Sequence, residues 1–487
     1  MAAAVSGRLR PRHAGRFDAR HYHVDRWRAE GHPSQMRLLP IVFAGITLAA
    51  AIFNIVSEPA LKTKSLPTDR ISFPEGKATG VVVLLSDGEG WTDREEQVSE
   101  VLTGHGALVV GVDIRQYYAA LEKEWDDCLY LVSDIETLSH QLHRSADIAN
   151  YHPPVVAGIG DGATLALAIA AQTPDSTIAE TLAIDPRTTI PLSTILCTPA
   201  PKTPVPGGTV YGLTEGDLPN PIRVVFSPSA DAAGRIHAEE LKEIHPAIEF
   251  RETAEGADVA LLENISAIAR RLAHSASPLN LPIVPIHATP KHNTMAIIYS
   301  GDGGWRDIDQ QLGAYLKEEG IPVVGVDALR YFWSERTPEQ TAADLSRIMT
   351  SYRKRWNVDN VLLIGYSFGA NVLPATYRLL PEADKQAISL VSLLALSHHA
   401  DFEIDVGGWL GIRGTGHGDP VDDLRKVEPS KIQCIYGLKE KESACPAVKE
   451  IPGVQVLARE GGHHFDGDYR ALNRLIVDRA VALMAVN

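Results

Sequence analysis

The chain has 487 residues, 45% hydrophobic and 22% charged, an ordinary globular composition at a length beyond the usual single core. Its 61 acidic and 46 basic residues leave a net charge of −15, which argues against nucleic acid as the main partner, because phosphate binding needs a basic surface. Among the four cysteines there is no C-x-x-C pair, and H-E-x-x-H is absent, so the sequence calls for neither a metal nor another cofactor.

The first informative element is Leu38–Val56, LLPIVFAGITLAAAIFNIV, an apolar run behind a segment rich in Arg and His. About 20 apolar residues can cross a bilayer, and a shorter core followed by small residues suits a secretory signal. Ala49, Ala50 and Ala51 supply the small residues, and Met36, just before the run, offers an alternative start to Met1. Residues 1–57 are therefore expected to be a basic segment plus a signal peptide or anchor, with the remainder exported. Export permits disulfides. Cys434 and Cys445 flank a short segment and form the first candidate bridge; Cys128 and Cys197 could form a second.

Two long stretches then repeat one another. GVVVLLSDGEGWTDREEQVSEVLTGHGALVVGVD in the first half corresponds to TMAIIYSGDGGWRDIDQQLGAYLKEEGIPVVGVD in the second. Trp91 pairs with Trp305 and Asp113 with Asp327, each at an offset of 214 residues, so no insertion separates these landmarks. This period belongs to a duplicated domain rather than a solenoid. Each copy alternates short apolar, β-branched runs with segments of helical periodicity, which predicts parallel sheets covered by helices on both faces. In the second copy the strands are expected at TMAIIYS, IPVVGVD, NVLLIG, AISLVSLLALS, KIQCIYG and VQVLA, with a closing helix from about Tyr469 to Ala485. The Pro-rich stretch Ser277–His292 reads as a linker. The domains are placed at 58–280 and 281–487.

The chemistry concentrates in the second copy. Gly365-Tyr366-Ser367-Phe368-Gly369 is a G-x-S-x-G between an apolar strand and a helix, the setting of a nucleophile elbow. Ser367 is the expected nucleophile. The order Ser, acid, His then selects the loop after the last strand, GGHHFDGDY, for the base. His463 is chosen because related hydrolases often show G-x-H-x-F here, and His464 is its alternative. The acid should follow KIQCIYG; Glu440, three residues after Gly437, is preferred over Glu442. Gly301 and Asp302, in the loop SGDGGW, together with Phe368 after the nucleophile, are expected to aim backbone N–H groups at an oxyanion. A phosphate-binding loop is the competing reading of SGDGGW, but its Lys and Ser/Thr are missing.

The motifs YSGDGGW, GYSFGANVLP, DFEIDVGGWLG and GGHHFDGDY, in this order over Thr294 to Asn487, resemble the AcvB/VirJ family of bacterial virulence proteins. The duplicated first half looks like the longer, AcvB-like members; VirJ-like members keep only the second unit. The resemblance implies a periplasmic serine hydrolase acting on lysyl-phosphatidylglycerol, an aminoacylated phospholipid at the membrane surface, with links to acid tolerance and virulence. Related sequences tend to carry Asp in the acid loop, where this chain has Glu442. The segment Ser397 to Asp422, with Trp409 and Leu410, reads as a lid, a lipid-contact surface or a packed loop. A general exported esterase or lipase is the alternative enzyme. A non-catalytic periplasmic interaction protein is the alternative from another class.

The first copy departs from this pattern. Its elbow reads GIGDGA, with Gly160 where the second copy has Ser367, and EFRETAEGADVALLENI replaces the histidine loop. The expected fold is thus two tandem α/β-hydrolase-like domains, the first catalytically degenerate. That copy is left to serve docking of periplasmic proteins, substrate capture or stability.

Overall fold

In the computed structural model, which describes residues 61–148, 150–274, 278–404 and 416–485, the apolar runs become the strands of two seven-stranded sheets. The first contains β1 (Ile71–Ser72), β2 (Gly80–Leu85), β3 (Ala107–Val112), β4 (Val155–Ile159) and β5 (Glu180–Ile184). A small three-stranded antiparallel sheet follows, built from β6 (Thr189–Ile190), β7 (Lys202–Val205) and β8 (Gly208–Tyr211). The main sheet is completed by β9 (Ile222–Phe226) and β10 (Glu249–Glu252), in the order β1-β3-β2-β4-β5-β9-β10.

The second sheet repeats that order. Its strands are β11 (Ile283–Ile286), β12 (Thr294–Tyr299), β13 (Val323–Val326), β14 (Asn360–Tyr366), β15 (Ile388–Leu394), β16 (Ile432–Gly437) and β17 (Gln455–Arg459). They lie in the order β11-β13-β12-β14-β15-β16-β17. Within each sheet all pairings are parallel except at one edge, where β1 and β11 run antiparallel to β3 and β13. This is the α/β-hydrolase arrangement, and both copies carry it.

Alternation along a single strand explains the layers, because successive side chains point to opposite faces. Met295, Ile297 and Tyr299 of β12 pack with Leu345, Ile348 and Met349 of the helix Pro338–Trp356 and with Val372 and Leu373 of the helix Phe368–Arg378. Ala296 and Ile298 face the other way, onto Leu312 and Leu316 of Ile308–Glu318 and Leu472 and Ile476 of Tyr469–Met484. Each fully buried aliphatic side chain contributes about 1.5–3 kcal/mol of transfer free energy, so a sheet covered on both sides is strongly favoured over one left bare.

The Pro-rich stretch is more than a linker. Its Ile283–Ile286 segment is the edge strand β11, and Pro285 sits within the ladder opposite Val324. An edge strand leaves one side of its backbone unpaired, which accommodates a residue lacking an N–H. Both cysteine pairs are bridged, Cys128 to Cys197 and Cys434 to Cys445. Among the described residues no helix is long and apolar enough to cross a membrane. The apolar run Leu38–Val56 lies outside the described residues, as do Trp409 and Leu410.

The two sheets belong to one compact unit, Pro59–Asn487. Tyr151 of the first copy is buried in the core of the second, its ring 4.9 Å from that of Trp333. Trp333 in turn donates its indole N–H to Ile148 O at 3.0 Å.

Candidate active site

At the end of β14 the chain turns within one residue into the helix Phe368–Arg378. Ser367 makes the turn at φ 51°, ψ −115°, a conformation that costs a non-glycine residue about 1–3 kcal/mol. The surroundings hold it there. Ser367 N–H donates to Leu394 O at 2.9 Å, and Gly369 N–H donates to Ser300 O at 3.1 Å. The two motif glycines are required by close approach. A Cβ on Gly365 would lie 2.7 Å from the Ala370 backbone, and one on Gly369 would lie 2.1 Å from Tyr299 O.

The turn presents the Ser367 hydroxyl 2.8 Å from His463 Nε2, and His463 Nδ1 lies 2.6 Å from Glu440 Oε1. Both contacts are hydrogen bonds when the imidazole proton sits on Nδ1 and is donated to Glu440. Nε2 then accepts from the serine, as general-base activation requires. His463 is exposed at 44% while Glu440 is exposed at only 12%, so the base faces incoming substrate and the acid is screened behind it.

Of the alternatives, His464 is turned elsewhere, with Nδ1 at 3.2 Å from the Tyr366 hydroxyl. Tyr366 is buried, and burial pushes its phenol well above the usual tyrosine range, so it remains a neutral hydrogen-bonding group. Glu440 is the carboxylate at His463 Nδ1. The acid loop between Cys434 and Cys445 is closed by the disulfide, which restrains the segment carrying Glu440.

The three expected oxyanion donors divide. Gly301 N–H is directed at Asp309 Oδ2, at 3.4 Å. Asp309 is buried, which drives its carboxyl well above the usual carboxylate range, and its Oδ1 has no hydrogen-bond partner. The N–H groups of Asp302 and Phe368 donate to no protein acceptor among the described residues. Phe368 N–H also opens a helix, where the macrodipole favours negative charge. Behind the elbow, Phe332 packs 5.1 Å from Phe368 and 5.8 Å from Phe402 between ring centroids, within the buried core. The flanking segment from Ser397 is tied down in part by His398 Nδ1 at 2.7 Å from Asp419. Among the described residues no group of His, Cys, Asp and Glu converges to hold a metal ion.

The first copy preserves this backbone and fills the site. Gly160 adopts φ 56°, ψ −116°, within a few degrees of Ser367. Its N–H donates to Ile184 O at 2.9 Å, matching the Ser367 bond to Leu394. Asp87 stands in the loop position of Gly301. One oxygen, Oδ1, accepts from Gly88 N–H at 2.7 Å and from Asp161 N–H at 3.0 Å. Gly88 and Asp161 are the counterparts of Asp302 and Phe368, so a carboxylate of the protein itself occupies the first oxyanion hole. Arg187 pairs with it at 3.2 Å. In place of the histidine loop, only residues 253–256 separate β10 from the helix Ala257–His274. Comparing the copies as SDGEGW and SGDGGW carries the signal for this plug, since the acidic residue moves by one position.

Serine, histidine and glutamate in this relation, beside two backbone donors without a protein acceptor among the described residues, are the arrangement that serine-based ester hydrolysis requires. Solved structures similar to the chain include Est1E from Butyrivibrio proteoclasticus with ferulic acid bound, at 13% identity, covering 42% of this chain and 96% of that one, TM-score 0.32. Another is esterase PE8, at 12% identity, 43% and 100% coverage and TM-score 0.28. A third is the type II thioesterase YbtT of the yersiniabactin pathway, at 16% identity, 42% and 99% coverage and TM-score 0.30. No curated protein sequence matches the chain. Residues 293–483, which span the second sheet from β12 onward together with Ser367, Glu440 and His463, match the family described as bacterial virulence protein (VirJ).

Proposed function

We propose that the protein is an exported serine hydrolase that cleaves the aminoacyl ester of lysyl-phosphatidylglycerol, releasing lysine and restoring the anionic lipid. The observation that carries the hydrolase part is the continuous path from Ser367 Oγ through His463 to Glu440. The choice of substrate follows the resemblance to the AcvB/VirJ family. An aminoacyl ester is a good acyl donor for such a site. Ser367 attacks the ester carbonyl as its proton passes to His463 Nε2, and the oxyanion is met by the N–H groups of Asp302 and Phe368. Glu440 orients the imidazole and stabilises its charged form without taking the proton. His463 then gives that proton to the departing glycerol oxygen, leaving lysine esterified to Ser367. Water, deprotonated by the same histidine, attacks this ester; serine recovers its proton and lysine leaves.

Use of all four cysteines in two disulfides supports the exported, periplasmic setting, where such bonds persist. The carboxylate of Asp302, whose charge acts on Tyr366 beside the nucleophile, would attract a cationic acyl group. The test is the level of lysyl-phosphatidylglycerol in membranes after expression of wild type and Ser367→Ala. Wild type should deplete the lipid and the variant should not. Lipid unchanged by wild type rejects the substrate, and a phenotype that survives Ser367→Ala favours a binding role.

A further inference from the structure

The first copy meets the second at the segment that leaves the oxyanion loop. Arg306 follows Trp305 directly, and its guanidinium lies along Gly303: a Cβ there would be 2.7 Å from Nη2 and 2.8 Å from Nε. On its other side, Arg306 Nη1 pairs with Glu136 Oε1 at 2.9 Å and donates to Thr177 Oγ1 at 3.2 Å. Glu136 lies on the first copy's helix Leu131–Ser145, and Thr177 precedes β5. The Arg306 and Glu136 side chains are only 21% and 14% exposed. Burial pushes the Glu136 carboxyl up, and the adjacent Arg306 charge opposes that rise.

The loop needs such support. Gly301, Gly303 and Gly304 leave its backbone poorly determined by local preference. One end is fixed, because Ser300 N–H donates to Val326 O at 3.1 Å and the Ser300 hydroxyl accepts from Ala328 N–H at 2.9 Å. Beyond Asp302 the contacts include a turn from Gly304 N–H to Gly301 O at 3.1 Å, Arg306 N–H on Gly304 O at 3.0 Å, the buried Trp305 ring against Gly325 with its backbone N–H on the Asp327 carboxylate, and, alone in reaching the first copy, the Arg306 guanidinium laid on Gly303. Asp302 directly precedes Gly303, the residue that makes that contact, and an oxyanion donor loses its effect when displaced by about 1 Å.

We propose that the degenerate copy braces the active copy's oxyanion loop, with Glu136 holding Arg306, and Arg306 holding Gly303 so that the Asp302 N–H stays aimed at the reacting carbonyl. Glu136 and Arg306 are positioning residues in this scheme, which rests on Ser367 being the nucleophile. The brace gives the first copy a task that needs its fold and its helix but not a nucleophile.

The test uses the full chain and two probes, p-nitrophenyl acetate turnover and the inhibition constant of a simple alkyl boronic acid, which forms a tetrahedral adduct on a serine. Glu136→Gln keeps the shape and removes the charge. It should lower kcat about tenfold with KM within about twofold, and weaken boronic acid binding in parallel. Glu136→Asp should recover part of the loss. Arg144→Gln serves as the comparison: Arg144 stacks 4.0 Å over Trp333 and pairs with Glu403 across the same interface, away from the loop. That variant should lower the melting temperature and leave kcat and boronic acid binding within about twofold of wild type. The brace is refuted if Glu136→Gln keeps kcat within about twofold, or if Arg144→Gln loses as much kcat and boronic acid binding as Glu136→Gln does. Absence of turnover and of boronic acid binding in wild type refutes the nucleophile instead.

Discussion

The filled site of the first copy predicts how the second can be shut by one side chain. Gly301 occupies the position of Asp87, and a Cβ built on it would lie 3.7 Å from Ser367 Cβ and 3.2 Å from Tyr366 Cδ1. The methyl of Gly301→Ala therefore asks the Tyr366 ring to give by a few tenths of an ångström. Gly301→Asp adds a carboxylate that can reach the N–H groups of Asp302 and Phe368, as Asp87 reaches Gly88 and Asp161. Two effects then act together. A fixed carboxylate about 4 Å from a developing oxyanion raises its energy by about 4 kcal/mol at an effective dielectric of about 20. Each donor withdrawn from the oxyanion costs a further factor of about 10² to 10³. Gly301→Asp should thus lower kcat for a p-nitrophenyl ester by at least about 10³-fold, and Gly301→Ala by less than about tenfold. Melting curves separate folding from catalysis, since the plug satisfies polar groups and should not destabilise. If folded Gly301→Asp stays within about tenfold of Gly301→Ala, the assignment of these donors to the oxyanion is wrong.

Replacing Glu440 by Gln should lower kcat about 10³- to 10⁴-fold by allowing the wrong imidazole tautomer, whereas Glu442→Gln should stay within about threefold; a loss as large in Glu442→Gln would move the acid. Adding Gly160→Ser to the Ser367→Ala chain should restore no hydrolysis above that of Ser367→Ala alone, because the new Cβ would lie 2.0 Å from Asp87 Oδ1 and the histidine loop is missing. The inter-copy histidines predict an acid limit to stability. His143 donates from Nδ1 to Ser139 O at 2.8 Å and accepts the His152 N–H at Nε2, a pattern only the neutral ring can make. Burial holds His143 and His152 down at about 4, and Arg144 and Arg330 nearby add to the effect. A depressed histidine binds its proton more readily in the unfolded chain, so its contribution is complete above about pH 6.5 and is lost as pH falls from there towards 4, by about 1.4 kcal/mol per pH unit and group. Urea midpoints between pH 7.5 and 5 should show this slope, and His143→Asn should flatten it; an unchanged slope removes His143 from the account. Removing the Cys128–Cys197 bridge, which closes 69 residues, should cost about 4 kcal/mol in unfolding experiments and leave kcat at Ser367 unchanged.

Legibility followed the range over which each feature is determined. The strands and the elbow were readable because a buried parallel strand must be apolar throughout and the turn must be Gly-x-Ser-x-Gly for the backbone contacts made by Gly365 and Gly369. The order Ser367, Glu440, His463 was readable and the fold brings the three side chains together, but the choices between His463 and His464 and between Glu440 and Glu442 depend on which way adjacent side chains point, which needs the fold. Other features lack a local pattern altogether. The edge strand β11 is too short and proline-containing to announce itself, and it forms because β13 offers an open side. The strands β6 to β8 are two to four residues long and form mainly through one another. The Arg306–Glu136 pair joins residues 170 positions apart and has no signature in either copy.

The plug also explains why the first copy could keep a strained turn after losing its chemistry. An oxyanion hole holds backbone donors without a protein partner, and a poorly solvated N–H left unpaired costs about 1–3 kcal/mol. A working enzyme accepts that cost because the transition state supplies the missing acceptor. Once a copy has no substrate to turn over, an internal acceptor is the more stable arrangement. Asp87 is that acceptor, with 18% of its side chain exposed and Arg187 balancing its charge. Glycine at position 160 removes the strain of a positive φ and leaves the volume into which the Asp87 carboxylate fits. The two substitutions therefore support one another: serine at 160 would clash with Asp87, and glycine at 87 would leave the two N–H groups without their partner. Ser367 with Gly301 and Gly160 with Asp87 are the two self-consistent pairings of the same turn, one open to a substrate and the other closed by the chain itself.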